Sequence, residues 1–111
     1  MKIKLAISLI TASVILSAGS ALAADGKTLF ETNCAKCHGV EGKGDTKMGM
    51  KVGCKDFTDA KYQAGLTDEK MADTIKNGLK DGDKTKMKPF GDVLSADDIK
   101  ALVAYVRSFK K

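Results

Sequence analysis

The sequence predicts an all-α domain of about three main helices joined by long loops. Three stretches carry apolar residues at helical spacing, and none reads as a convincing strand. Two loops join the helices, from Gly39 to about Gly65 and from Leu79 to Leu94. Loops this long are uncommon in a small domain unless something holds them. We therefore expect the chain to wrap around a large apolar group that its own side chains do not supply.

The first predicted helix runs from about Asp25 into a cysteine-containing motif. Gly26, Leu29, Phe30 and Asn33 recur on one face of it at helical spacing.

The second predicted helix begins at Thr67, whose hydroxyl can cap the free amides of the first turn. Two acidic residues follow, where they suit the positive end of the helix dipole. Met71 and Ile75 lie four residues apart on one face, and Asn77-Gly78 ends the helix.

The third predicted helix has the clearest pattern. Ser95 and Asp98 form a variant of the capping box at its start. Lys110 and Lys111 suit the negative end of its dipole. Its apolar stripe consists of Ile99, Leu102, Val103, Val106 and Phe109.

Residues 1–23 have the pattern of a secretory signal peptide. Lys2 and Lys4 precede a largely apolar run, and Ala21-Leu22-Ala23 matches the small-x-small cleavage pattern. The apolar core is about a dozen residues long, whereas a membrane-spanning helix needs ~20. We expect residues 1–23 to be removed on export and residues 24–111 to form a single domain in an oxidising compartment, the bacterial periplasm.

Charge and size limit what this domain can do. Without Lys2 and Lys4 the formal net charge falls from +5 to +3, and the 111 residues are reduced to 88 by loss of the first 23. This charge, with lysines interspersed among aspartates, is too small for a nucleic-acid-binding surface. A domain of this size has a marginal apolar core, so a disulfide, metal or cofactor commonly stabilises it.

Cys34, Cys37 and His38 carry the strongest chemical signal. Two thiols separated by two residues and followed at once by histidine form the attachment pattern of c-type haem. On one helical turn the two thiols lie on one side, where each can bond to a vinyl-derived carbon of the porphyrin. The adjoining imidazole can then ligate the iron. The pattern predicts one covalently bound haem c with its iron.

Three other interpretations of the motif are weaker. A thioredoxin-like cysteine pair would follow a strand and lie at a helix start, and neither feature is present. A zinc site would need a fourth nitrogen or sulfur ligand, for which only Cys54 is available. A structural disulfide would leave His38 without a role.

The stretch CAKCHGVEGKG at positions 34–44 resembles the small soluble class I cytochromes c of bacteria. The similarity extends across essentially all of residues 24–111. Gly26 and Phe30 match the first-helix pair of that family, where a small residue lets the last helix cross closely. The 102–106 stretch resembles the partner helix, with Tyr105 as its aromatic contact. This resemblance implies a cytochrome c-like fold wrapped around one haem, and electron transfer rather than catalysis.

A methionine is the expected second axial ligand of the iron. The candidates outside the signal segment are Met48, Met50, Met71 and Met87. Met71 lies on the apolar face of the second helix, which favours core packing. Met48 and Met50 lie in a flexible loop within reach of the motif. Met87 precedes Lys88-Pro89, and proline favours an extended, stiffened loop.

The Met-x-Pro-Phe pattern at positions 87–90 also resembles the distal-ligand loop of the family. We expect Met87 to ligate the iron opposite His38. With both axial positions filled, small molecules have no open coordination site, which is typical of a carrier and not of an oxygenase or peroxidase.

Cys54 has two interpretations, a small half-buried residue beside the haem edge or an exposed thiol that forms an intermolecular disulfide. The loop lysines also have two, ordinary solubilisation or a docking face for an acidic redox partner. These lysines are Lys43, Lys47, Lys51, Lys55, Lys84, Lys86 and Lys88.

The motif and the resemblance together predict a monomeric electron carrier of the periplasm. Its partners would be periplasmic or membrane-associated redox proteins. The first alternative is a haem subunit bound permanently to a periplasmic dehydrogenase or oxidase. The second is a peroxidase-like enzyme in which Met87 moves away to open a site.

Overall fold

Six helices and one two-stranded antiparallel sheet make up residues 25–111, the part of the chain that a computed structural model describes. The elements in chain order are α1 (Gly26–Asn33), α2 (Ala35–His38), α3 (Lys47–Val52), α4 (Ala60–Ala64), α5 (Asp68–Asn77), β1 (Leu79–Asp81), β2 (Lys84–Met87) and α6 (Ala96–Ser108). None of these helices is long and apolar enough to cross a membrane. The predicted signal segment 1–23 lies outside the described residues.

The three predicted main helices are confirmed as α1, α5 and α6. The hydroxyl of Thr67 accepts a hydrogen bond from the amide of Lys70 at 3.0 Å at the start of α5. At the start of α6, the Asp98 amide donates to the Ser95 hydroxyl at 3.0 Å, and the Ser95 amide donates to the Asp98 carboxylate at 3.1 Å. Each cap satisfies amides that have no partner within the helix.

The first and last helices cross closely, as the sequence predicted. A Cβ on Gly26 would lie 2.7 Å from the carbonyl oxygen of Ala101, so only glycine allows this approach. Next to the crossing, the rings of Phe30 and Tyr105 lie 5.3 Å apart. The side chains of Phe30 and Leu102 are almost completely buried. The rest of the buried apolar core comprises Met71, Ile75, Phe90, Leu94, Ile99, Val103 and Val106.

The expectation that no strand is present is wrong, because β1 and β2 form a hairpin inside the predicted 79–94 loop. Asp81 pairs with Lys84, so the turn has two central residues. Gly82 occupies the first of them with φ +60°, a conformation that suits a tight hairpin turn. One register irregularity between Leu79 and Lys80 brings Leu79 opposite Met87.

The predicted 39–65 loop contains two short helices, α3 and α4. Each begins at a side-chain cap, Thr46 for α3 and Asp59 for α4. Helix α3 packs against α2, which carries the cysteine motif.

Candidate cofactor site

The two cysteines and the histidine of the motif lie on a single helical turn. Cys34 ends α1, where its amide donates to the carbonyl of Phe30 at 2.8 Å. Its own carbonyl then accepts from the amides of Cys37 and His38, at 3.2 and 2.9 Å, and these bonds close the turn of α2. The structure therefore brings together the two predicted attachment cysteines and the predicted iron ligand His38 where α1 ends and α2 begins.

Both thiols of the motif are free. Burial, with a smaller contribution from Cys37, raises the pKa of the Cys34 thiol to about 11. A reactive redox cysteine needs a lowered pKa, so this environment does not suit a thioredoxin-like pair. It suits a Cys34 thiol that stays protonated until it adds to another group.

His38 is a half-buried imidazole, and one of its nitrogens is buried and unsatisfied. Burial lowers its pKa below the ordinary value, which favours the uncharged form that binds metals. Its Nδ1 atom is buried and has no hydrogen-bond partner among residues 25–111. Because buried polar atoms are rarely left unpaired, such an orphan marks a functional position. The donor set of two thiols and a neutral imidazole therefore fits a covalently attached haem.

An aromatic ring fixes one side of the imidazole. Phe57 stacks on His38 with 4.9 Å between ring centroids and 24° between planes. On another side the ring of Phe30 lies 6.3 Å away. These contacts restrict rotation of the imidazole. A metal ligand requires such a fixed orientation.

Phe57 is itself held by a polar clamp that joins Gln63 on α4 to Val106 and Arg107 on α6. Gln63 is only 2% exposed, and its amide nitrogen donates to the carbonyls of Phe57 and Val106, each at 2.8 Å. Arg107 donates to the side-chain and main-chain oxygens of Gln63 at 3.0 and 2.7 Å and to the Asp68 carboxylate at 2.8 Å. The sequence analysis missed this clamp.

Thr46 anchors α3 to the motif and was also missed. Its hydroxyl donates to the carbonyl of Cys37 at 2.6 Å and accepts from the amide of Gly49 at 2.9 Å. The side chain thus caps α3 and joins it to α2 at once. The only sequence signal was a threonine before a short helical turn.

The four methionines occupy different environments. Met71 is buried in the core on α5, as predicted. Met48 and Met50 lie on α3 with 39% and 69% of their surface exposed. Met87 is the last residue of β2 and packs, half-buried, against the core that also contacts Cys34 and Phe57. Met87 therefore differs from the other three in lying off the helices while packing against the core that Cys34 also contacts.

The backbone around Met87 is tied to the end of α5. The amide of Phe90 donates to the carbonyl of Ile75 at 2.9 Å, and the amide of Gly91 donates to the carbonyl of Lys76 at 3.0 Å. The Phe90 side chain is buried. The segment that follows Met87 is therefore fixed at two consecutive amides.

Cys54 lies just past α3 and is half-buried. Its amide donates to the carbonyl of Gly49 at 2.8 Å, and burial, followed by the influence of Cys37, raises the pKa of its thiol. This environment favours the packing interpretation over an exposed thiol.

Most of the loop lysines are exposed, and few of them are paired. Lys43 lies 3.4 Å from Glu41, and Lys86 lies 3.7 Å from Asp81. Exposed ion pairs of this kind contribute little stability.

Residues 21–106 match the profile of the family described as "Cytochrome C oxidase, cbb3-type, subunit III". The chain is 36% identical over 89 residues to the cbb3-type cytochrome c oxidase subunit FixP of Azorhizobium caulinodans, an alignment that covers 77% of this chain and 28% of FixP. The chain thus spans less than a third of that relative. It is also 36% identical over 85 residues to cytochrome c6 of Cladophora glomerata, covering 77% of this chain and 86% of the relative.

A solved structure shares the fold. The KustC0563 c-type cytochrome superposes with a TM-score of 0.72 at 39% sequence identity, over 79% of this chain and all of that chain.

Proposed function

Because the chain belongs to the cytochrome c family and is an electron-transfer protein, we propose that it carries single electrons between redox proteins of the periplasm through one haem with His/Met axial ligation. The observation that supports this most is the turn of α2. It presents two free thiols and an imidazole whose pKa is lowered by burial and whose Nδ1 has no hydrogen-bond partner among residues 25–111.

Each site residue has a separate task in this proposal. Cys34 and Cys37 hold the haem covalently, and His38 ligates its iron from the same helical turn. The bound haem supplies a one-electron ferric/ferrous couple. Phe57 and Phe30 restrict the imidazole plane, and their ring centroids lie 4.9 and 6.3 Å from the centroid of the imidazole. Such packing keeps a ligand in one orientation in both oxidation states, so little reorganisation accompanies the transfer of an electron.

Met87 is the proposed ligand opposite His38. Its backbone is held on β2 and by the two hydrogen bonds that follow it, whereas Met71 is committed to the core. A thioether ligand raises the reduction potential relative to a second histidine. The exposed side chains of Met48 and Met50 on α3 suit another role, a contact surface.

A single haem is proposed because the sequence offers one attachment site. The chain has one histidine and three cysteines, of which only Cys34 and Cys37 have the attachment spacing. The proposed periplasmic location depends on residues 1–23, whose basic start, apolar run and cleavage pattern are those of a signal peptide. Residues 24–111 are then the mature, monomeric carrier.

The proposed docking face is the surface of α3 and its neighbouring loop. Met48 and Met50 lie there between the exposed Lys47 and Lys51, and Val40 is 63% exposed nearby in the chain. Apolar side chains ringed by lysines suit a small, short-lived contact with an acidic redox partner.

Permanent association with a cbb3-type oxidase is the second candidate, favoured by the family profile and by the similarity to FixP. Size-exclusion chromatography of a detergent-solubilised native extract of whole cells, followed by haem absorbance, separates the two. A carrier elutes as a small monomer, and a permanent subunit elutes with a large complex.

Mass spectrometry of the exported protein tests the haem and the processing together. The expected mass is that of residues 24–111 plus one haem. A mass without haem, or with the first 23 residues retained, would contradict the proposal.

A further inference from the structure

The end of α5 receives its hydrogen bonds from a distant part of the chain. The last carbonyl groups of a helix have no partner within it. In α5 two of them, on Ile75 and Lys76, accept from the amides of Phe90 and Gly91 at 2.9 and 3.0 Å. The segment that caps the helix is therefore the one that directly follows Met87.

Gly78 lies where the helix and this segment come closest. It follows α5 with φ +76°, and its amide donates to the carbonyl of Thr74 at 2.8 Å. A Cβ at this position would lie 2.5 Å from the carbonyl oxygen of Met87 and 2.8 Å from the nitrogen of Pro89. Both are backbone atoms, so no side-chain rotation can relieve such a contact.

We propose that Gly78 is the positioning residue of Met87: the missing Cβ lets the 87–89 backbone close onto the end of α5, and this approach fixes the thioether. The inference rests on the proposed axial role of Met87. In this proposal Gly78 acts through the backbone of Met87. A ligand displaced by even ~1 Å no longer meets its target reliably.

A simpler explanation is that Gly78 is an ordinary helix C-cap, chosen for its positive φ. Two other glycines separate the explanations. Gly82 has φ +60°, and a Cβ there would meet nothing within 4 Å, so Gly82→Ala introduces the backbone strain alone. At Gly26 a Cβ would lie 2.7 Å from a carbonyl oxygen of α6, so Gly26→Ala introduces a clash far along the chain from Met87.

The test compares the holoproteins of Gly78→Ala, Gly82→Ala and Gly26→Ala. The readouts are the ferric thioether-to-iron charge-transfer band and carbon monoxide binding by the reduced protein. We expect Gly78→Ala to lower the ratio of ligated to unligated methionine by about tenfold. The strain energy of a forced backbone shift corresponds to a change of about this size in an equilibrium constant. The band should weaken and carbon monoxide should bind. Both controls should keep the band.

Two results would overturn the inference. One is a full band in folded Gly78→Ala holoprotein, and the other is an equal loss of the band in Gly82→Ala or Gly26→Ala. A Met87→Leu holoprotein distinguishes this failure from failure of the proposed function. If Met87→Leu loses the band and Gly78→Ala keeps it, only the positioning role is wrong. If Met87→Leu keeps the band, the axial assignment itself is wrong, and the inference falls with it.

If Gly78→Ala yields no holoprotein, Gly91→Ala tests the same contact between the end of α5 and the segment that follows Met87. A Cβ on Gly91 would lie 3.0 Å from the Lys76 oxygen, a tight contact that a small shift can relieve. On heating, the charge-transfer band should disappear at a lower temperature than the helical circular dichroism signal. The gap between these two temperatures should be wider than in the unaltered protein. An unchanged gap overturns the proposal.

Discussion

Gln63 is the single residue on which the surroundings of His38 depend most. Its side-chain amide joins the carbonyl of Phe57 to that of Val106, and Phe57 stacks on the imidazole. Arg107 completes the hydrogen bonding of the Gln63 oxygen. A fully satisfied buried polar group of this kind fixes one arrangement of its neighbours. The residue that stacks on the imidazole is therefore tied to α6, a helix that carries none of the proposed ligands.

Replacing Gln63 with leucine should destabilise the holoprotein by about 2–3 kcal/mol, because the carbonyls of Phe57 and Val106 lose their donor and Arg107 loses one of its two hydrogen bonds to residue 63. Guanidinium denaturation followed by circular dichroism measures the change. Asn33→Ala is the matched control, since Asn33 donates one hydrogen bond, to the carbonyl of Leu29 in its own helix at 3.0 Å. It should lose about 1 kcal/mol. Equal losses for the two variants would show that the clamp has no special role.

The sequence predicted some site residues and missed others for a physical reason. Cys34, Cys37 and His38 are recognisable because their chemistry depends on local spacing along one helical turn. Gln63 and Phe57 act through contacts with α6, more than 40 residues away in the case of Gln63, and a lone glutamine in a polar stretch is usually exposed. The haem-binding roles of Cys34, Cys37 and His38 and the axial role of Met87 stay predictions.

At the scale of elements, the crossing of α1 and α6 is a close backbone approach that the absence of a side chain at Gly26 permits. Alanine for glycine in a helix is normally stabilising, by up to ~1 kcal/mol. At Gly26 the sign should reverse, since the new Cβ would lie 2.7 Å from the Ala101 oxygen and 3.1 Å from the Tyr105 Cβ. The thermal midpoint of Gly26→Ala should fall. Gly65→Ala is the control, where a Cβ would meet only the Tyr62 oxygen, at 3.7 Å.

With an ordinary negative φ, Gly65→Ala should be neutral or stabilising by ~0.5 kcal/mol. A Gly26→Ala protein that is as stable as Gly65→Ala would refute the close crossing.

Helix length explains which elements the sequence revealed. The predicted helices α1, α5 and α6 have caps and an apolar face long enough to show a period. Helices α3 and α4 have six and five residues, too few for a period, and they form because they are capped and packed. The hairpin has mostly polar, exposed strands, so alternation was absent. The Gly82-Asp83 turn was its only signal.

For the whole molecule, we expect the fold to depend on the bound haem. The long segments between α1 and α5 contribute few residues to the core, and small domains commonly need such a staple. A Cys34→Ala, Cys37→Ala chain should lose most of its helical circular dichroism, because binding to the native state alone stabilises that state. Native-like helicity with cooperative melting in this chain would contradict the expectation.

The docking proposal predicts that electron transfer slows as salt rises. Exposed charges are screened beyond ~8 Å at physiological ionic strength. Stopped-flow rates with the physiological partner should fall with salt, and Lys47→Gln and Lys51→Gln should reduce both the rate and its salt dependence. The controls are Lys70→Gln and Lys100→Gln, exposed lysines on α5 and α6. Equal effects for the two pairs, or rates independent of salt, would rule out steering by α3.

The central claim is that one haem is held between His38 and Met87, and the holoprotein of Met87→His tests it most directly. The haem should remain covalently attached, because Cys34, Cys37 and His38 are unchanged. The reduction potential should fall, since imidazole stabilises ferric iron more than a thioether does. Each loss of about 59 mV makes one-electron reduction tenfold less favourable.

The ferric thioether-to-iron charge-transfer band is the readout that decides. It should vanish in Met87→His and survive in Met48→Leu, Met50→Leu and Met71→Leu. A band that persists in Met87→His and disappears in Met48→Leu or Met50→Leu would contradict the account.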